Sequence, residues 1–147
     1  MIIYLMIGAP GAGKSTYVKN VFPGMEILSC DEIREKKFGA KRSLEIREVV
    51  LNEMLEYIID RCKKMESLVI DTTYFNQIEN RVRLFGVISP KNINVIYIDT
   101  TVDICLQQNK LRDGARVIED HMIKYLHDNI DPPNQDEGFY SITHIPC

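Results

Sequence analysis

Gly8-Ala9-Pro10-Gly11-Ala12-Gly13-Lys14-Ser15 places glycines, a lysine and a hydroxyl at G-x-x-x-x-G-K-[ST] spacing, with Thr16 directly after. Those residue types at that spacing suit one task, holding a chain of phosphates. The glycines let backbone N–H groups turn inward around anionic oxygens. Lys14 reaches the β- and γ-phosphates of a nucleoside triphosphate, and the Ser15 hydroxyl takes a place on Mg²⁺. A helix beginning near Lys14 adds its positive end to the same anion site. A chance match in a glycine-rich turn would lack the context seen here. An apolar run over 2–7 leads in, and residues 14–21 have helix chemistry until Pro23-Gly24 stops them.

A phosphate loop binds a donor but activates no acceptor, so the other chemistry-bearing residues matter. Ser29-Cys30-Asp31-Glu32-Ile33-Arg34 follows a second apolar run. This puts Asp31 at the carboxyl end of a strand expected beside the first, where open α/β sheets hold their ligands. Three apart on a helix, Asp31 and Arg34 share a face. There a carboxylate takes the proton of an attacking hydroxyl while the guanidinium holds a phosphate or carboxylate of the acceptor. The plain alternative is a helix cap and a solvated arginine. Glu32 is the rival base, but its side chain leaves that face.

Asp71 ends the apolar run Leu68-Val69-Ile70 and is placed to hold a metal-bound water, orient a catalytic side chain, or cap the next turn. In Arg112-Asp113-Gly114-Ala115-Arg116, a glycine among charges reads as a mobile loop. Arg112 and Arg116 are its candidates for stabilising a transferring phosphoryl group, with plain solvation the alternative. His121, His127 and His144 lack partners at triad spacing and read as ordinary histidines.

Strands are expected over 2–7, 25–29, 67–71, 93–99 and 141–145, alternating with helices over 43–65, 76–88, 101–111 and 117–129. That alternation specifies an α/β fold of the phosphate-loop nucleoside triphosphatase type. Its parallel sheet has about five strands, with helices on both faces and a small lid. In 43–65 the apolar residues Leu51, Met54, Leu55, Ile58, Ile59, Cys62 and Met65 recur at three and four, a core stripe. The 147 residues are expected to form one domain, 1–147. No repeat or interdomain linker interrupts them, and 131–134 is a short stiff loop. No apolar run reaches bilayer length, and the apolar start lacks the basic flank of a signal peptide. Cys30, Cys62, Cys105 and Cys147 are scattered, with no metal spacing, and read as reduced thiols of a cytoplasmic protein. Cys30 beside Asp31 could inhibit on oxidation, though a small buried apolar residue is the simpler reading. The formal net charge of −3 argues against broad nucleic-acid binding. It leaves room for a few arginines on one phosphate.

With those residues laid out, the chain resembles the 5′-kinase domain of polynucleotide kinases and the wider group of small, zeta-toxin-like phosphate-loop kinases. The similarity covers nearly the whole length. Gly8 to Thr16 matches the family's phosphate loop. Asp31-Glu32-Ile33-Arg34 looks like its D-x-x-R element, in which the acid is general base and the arginine holds the phosphate next to the acceptor. Asp71-Thr72-Thr73 resembles its D-[AT]-[TN] strand end, and Gln108-Asn109-Lys110-Leu111-Arg112 its R-N-x-x-R lid. Glu137-Gly138-Phe139 is similar to an E-G-F tail before the last strand. Gln108 replaces the lid's first arginine, Ile118 a usual proline, and Tyr74 a common asparagine.

The resemblance implies an ATP- and Mg²⁺-dependent kinase. Gly8, Ala9, Pro10, Gly11, Ala12, Gly13, Lys14, Ser15 and Thr16 hold ATP, and Ser15 and Asp71 serve the metal. Lys14, Asp31, Arg34, Arg112 and Arg116 carry the transfer, and the expected acceptor is the 5′-hydroxyl of a DNA or RNA end. Two alternatives stay open. One is a kinase of a small acceptor such as a nucleoside, sugar, antibiotic or nucleotide-sugar; the other is a nucleotide-dependent switch without catalysis, in which Asp31 and Arg34 would have little to do.

Overall fold

The computed structural model describes residues 1–112 and 114–147, apart from the side chain of Ala115. Asp113, part of the expected charged loop, lies outside the described residues. The apolar runs form five strands: β1 (Ile3–Ile7), β2 (Ile27–Ser29), β3 (Leu68–Asp71), β4 (Ile93–Asp99) and β5 (Ser141–Pro146). All pair in parallel, in the order β2-β3-β1-β4-β5. This corrects one expectation. β2 does not lie beside β1, because β3 comes between them, aligning Met6 with Asp71 and Asp71 with Ser29. The loop after β1 and the start of the helix after β2 therefore flank the end of β3.

Six α-helices among the described residues cover the sheet: α1 (Lys14–Val21), α2 (Cys30–Phe38), α3 (Leu44–Lys63), α4 (Ile78–Phe85), α5 (Val102–Asn109) and α6 (Asp120–Asp128). Strand residues alternate between faces, as the two-residue period of a strand requires. Ile3, Leu5, Leu68, Ile70, Ile93 and Val95 pack with Leu51, Met54 and Ile58 of α3 and Leu84 of α4. Met6, Val69, Ile96 and Ile98 pack on the other face with Val18 of α1, Cys105 of α5 and Ile123 of α6. Burying both faces explains why the central strands are apolar along their whole length.

Helix starts follow local chemistry. Ser43 accepts a bond from the Ile46 N–H at 3.1 Å, and Ser29 one from the Glu32 N–H at 3.4 Å, satisfying N–H groups that a helix leaves open. The helix expected over 76–88 is shorter. A 3-10 turn over Tyr74–Asn76 precedes α4, with Gln77 extended between them. α6 starts at Asp120 rather than 117, because the Ile118 backbone bonds to the Asn109 side chain through both its N–H (3.2 Å) and its C=O (2.7 Å). That bracket ties the end of α5 to Ile118, on either side of Arg112 and Arg116.

Candidate active site

The phosphate loop is held in shape before any ligand arrives. Gly11 has φ +81°, and a Cβ there would stand 2.5 Å from the Cys105 carbonyl oxygen, so only glycine fits. Gly13, at φ +101°, ends the loop in the left-handed region and opens α1. Thr100 Oγ1 donates to the Ala12 carbonyl at 2.8 Å. Lys14 is buried at the centre, its Nζ donating to the carbonyls of Gly8 (2.9 Å) and Ala9 (3.0 Å). Burial lowers its pKa, against the opposing charge of Asp71.

At the mouth of the loop Ser15 Oγ donates to Asp71 Oδ2 at 2.8 Å. The two residues expected to serve the metal thus lie side by side. Their hard oxygens fit Mg²⁺, which takes oxygen ligands and keeps several waters. Ala9, Pro10, Gly11, Ala12, Gly13 and Thr16 complete the loop around them, and Pro10 to Thr16 line the same cleft as Ser15 and Asp71.

Asp31, in the first turn of α2, faces that cleft. Its Oδ1 pairs with Arg34 Nη2 at 2.9 Å and its Oδ2 with Arg112 Nη2 at 3.4 Å. Burial alone would raise its pKa, but the Arg34 charge and hydrogen bond, with Arg112 and Arg116 behind, hold it below the usual carboxylate value. One turn further on, Glu35 receives Arg116 through both carboxylate oxygens, at 2.9 and 3.3 Å. Each group reinforces the other's charge, Glu35 being shifted down and Arg116 up. Glu32 is exposed and turned away, as its position predicts. The two arginines flanking the expected mobile loop are thus anchored on α2, Arg112 at Asp31 and Arg116 one turn beyond.

Pro10 to Thr16, Asp31, Arg34, Asp71 and Arg112 border one cleft of about 1180 Å³. One end is walled by Gln108, Ile118, Met122 and Tyr125 beside the loop. The other is walled by Arg34, Arg42, Ile46, Arg47, Val50 and Tyr74. Tyr74, which departs from the resembled family's asparagine, braces this second end. Its hydroxyl donates to the Arg47 carbonyl at 2.7 Å, and the Arg47 guanidinium lies 4.8 Å from its ring centre.

Sequence reading missed Arg42, Arg47, Thr100 and Asn76. Arg42 and Arg47 look like solvated charges on paper, and Thr100 lies past the end of its strand. Asn76 carries no motif, yet its carboxamide takes both the N–H and the C=O of Gly8.

A family model described as an AAA domain (AAA_33) matches residues 3–133. The chain belongs to this AAA domain family. Among solved structures, the AAA domain is similar to a sugar kinase from Janibacter sp. HTCC2649, at 17% identity and TM-score 0.72 over 99% of this chain and 85% of that one. It is also similar to the shikimate kinase of Acinetobacter baumannii, at 22% identity and TM-score 0.62 over 97% and 82%. A third likeness is to a chain of the Pnkp1/Rnl/Hen1 RNA repair complex, at 17% identity and TM-score 0.64 over 88% of this chain and 46% of that one. At these identities the likeness establishes the phosphate-loop kinase fold of the AAA domain. No helix among its described residues is long and apolar enough to cross a membrane.

Proposed function

We propose that the protein is an ATP-dependent phosphotransferase that moves the γ-phosphoryl group to a hydroxyl flanked by an anionic group, with the 5′-hydroxyl of a polynucleotide end as the acceptor. The observation that carries the reading is the setting of Asp31: a buried-edge carboxylate between Arg34 and Arg112, in the cleft that the Gly8 to Thr16 loop opens into. A switch has no use for that arrangement.

In the reaction Asp31 accepts the proton of the acceptor hydroxyl as its oxygen bonds to the γ-phosphorus and the bond to ADP breaks. Arg34 holds the acceptor's neighbouring phosphate, and Arg112 exchanges its hold on Asp31 for the transferring phosphoryl oxygens. Lys14 and the loop N–H groups keep the donor in place. Ser15 and Asp71 would hold Mg²⁺, which supplies charge to the β- and γ-phosphates when bound.

Arg42 and Arg47 continue the positive wall beyond Arg34, in line with further phosphates of a strand. A second reading is favoured by Ile46 and Val50, which share that wall and suit the ring of a small acceptor such as a sugar. Labelled ATP offered with 5′-hydroxyl oligonucleotides, 3′-phosphorylated nucleosides, plain nucleosides and small sugars separates them. Label in the first two and not the third is expected. Transfer to sugars alone would replace the acceptor, and ATP turnover stimulated by none of them would remove the enzyme reading.

A further inference from the structure

Gly8 begins the phosphate loop, and its peptide is gripped by a residue 68 positions away. The Gly8 N–H donates to Asn76 Oδ1 at 3.1 Å, and Asn76 Nδ2 donates back to the Gly8 carbonyl at 2.8 Å. The carboxamide thus occupies the place a neighbouring strand would take, one residue past the end of β1. Asn76 is 4% exposed. Its own backbone is fixed in turn, the carbonyl accepting from Arg81 Nη1 at 3.1 Å and from the Asp131 N–H at 2.9 Å.

The Gly8 carbonyl has a second donor, the Lys14 ammonium at 2.9 Å, and the Ala9 carbonyl accepts the same ammonium at 3.0 Å. An ammonium has three N–H groups, so two are committed to the loop and one is left. Meeting both a β- and a γ-phosphate oxygen requires two, so one of the two loop bonds must be released. Whichever carbonyl is released already has a standing partner: Ala9 has the Ala12 N–H at 3.0 Å, and Gly8 has Asn76. A buried carbonyl left with no donor would resist that release.

We infer that Asn76 is a positioning residue for the donor site: it holds both the N–H and the C=O of Gly8, so that Lys14 can turn from that carbonyl to the triphosphate without orphaning it. The inference rests on the reading of 8–16 as a triphosphate loop and adds to it a residue outside the motif. It also makes ATP binding depend on Asn76 more than ADP binding does. ADP lacks the γ-phosphate and is met by the one uncommitted N–H of Lys14.

The test compares MgATP and MgADP binding by calorimetry for the parent, Asn76→Ala and the near-isosteric Asn76→Leu, with thermal unfolding of each nucleotide-free protein. Expected is a loss of about tenfold in ATP affinity and no more than about threefold in ADP affinity, with acceptor KM unchanged. In a Lys14→Met background, where no ammonium has to move, Asn76→Ala should lower ATP affinity by less than about twofold further. Equal losses for ATP and ADP, the same tenfold loss in the Lys14→Met background, or failure of both variants to fold would each overturn the inference. In the last case the Gly8 grip would be a requirement of the fold alone. A parent protein that binds no MgATP overturns the phosphate-loop reading itself, which is a different outcome from a parent that binds while the variants match it.

Discussion

Truncating Glu137 to alanine is expected to be the most destabilising single change near the site that touches no ligand. The Arg81 side chain is 0% exposed and Glu137 5%, and they meet through two parallel bonds, Nε to Oε1 at 2.7 Å and Nη2 to Oε2 at 3.1 Å. The other three N–H groups go to the carbonyls of Phe75 (2.9 Å), Asn76 (3.1 Å) and Asp131 (3.0 Å). All five guanidinium donors are therefore used, and the only countercharge among the described partners is Glu137. Removing it strands a buried cation, which costs about 3–5 kcal/mol. In a chain of 147 residues each kcal/mol lowers Tm by about 2–4 °C, so a fall of roughly 10–15 °C is expected.

Urea and thermal unfolding of the parent, Glu137→Ala, Arg81→Met and the double variant measure it. Glu137→Gln keeps one acceptor and should lose less, about 1–3 kcal/mol. The double variant should lose less than the sum of the single ones by more than about 1 kcal/mol, because its second change removes the stranded charge. A Glu137→Ala loss below about 1 kcal/mol, or strict additivity, would refute the account of this pair as a closed buried network.

Lys14→Ala is expected to abolish phosphoryl transfer in a protein that still folds by circular dichroism, and near-normal turnover would remove the donor-site reading. Asp31→Asn should lower turnover by about 10²–10⁴-fold with ATP affinity little changed, as for loss of a positioned base. Because the arginines hold the Asp31 carboxyl below its ordinary value, its ion pairs stabilise the fold fully above that ordinary value. The stability is lost as pH falls through the lower folded one, and Asp31→Asn should flatten that acid limb in unfolding measurements. Arg34→Ala should raise acceptor KM most for oligonucleotides and 3′-phosphorylated nucleosides, with plain nucleosides poor substrates throughout; equal use of both by the parent enzyme would exclude a phosphate clamp. Arg112→Ala should depress the chemical step by up to about 10³-fold in single-turnover kinetics and Arg116→Ala by less, since Arg112 faces the base and Arg116 is held by Glu35. A larger loss at Arg116 would reverse the two roles.

The parts of the site that could be read from sequence are those whose chemistry is local. A loop of backbone N–H groups needs glycines at fixed spacing, and a carboxylate and an arginine three apart meet on one helix turn, so 8–16 and the Asp31–Arg34 pair were visible in a single chain. Helix stripes and apolar strands were visible for the same reason. Strand order was not, because nothing in β2 says whether β1 or β3 lies beside it; the crossover choice depends on how α1 and α3 pack on opposite faces. Asn76 was invisible for a related reason, since its partners are the backbone N–H and C=O of a residue 68 positions away, and backbone groups leave no signature.

The E-G-F resemblance shows how such long-range dependence becomes legible only in three dimensions. Glu137 neutralises Arg81, Arg81 fixes the carbonyl of Asn76, and the Asn76 carboxamide holds Gly8. Gly138 adopts φ +91° with a Cβ direction 3.5 Å from Pro90, turning the chain so that Phe139 packs edge-on against Phe85 of α4. A tail of three residues before the last strand is therefore joined to the first glycine of the phosphate loop through one buried guanidinium and one carboxamide. A network of this kind transmits strain as a unit, so substitutions at Glu137 or Arg81 that leave the protein folded should weaken nucleotide binding through Asn76, although neither residue lines the cleft.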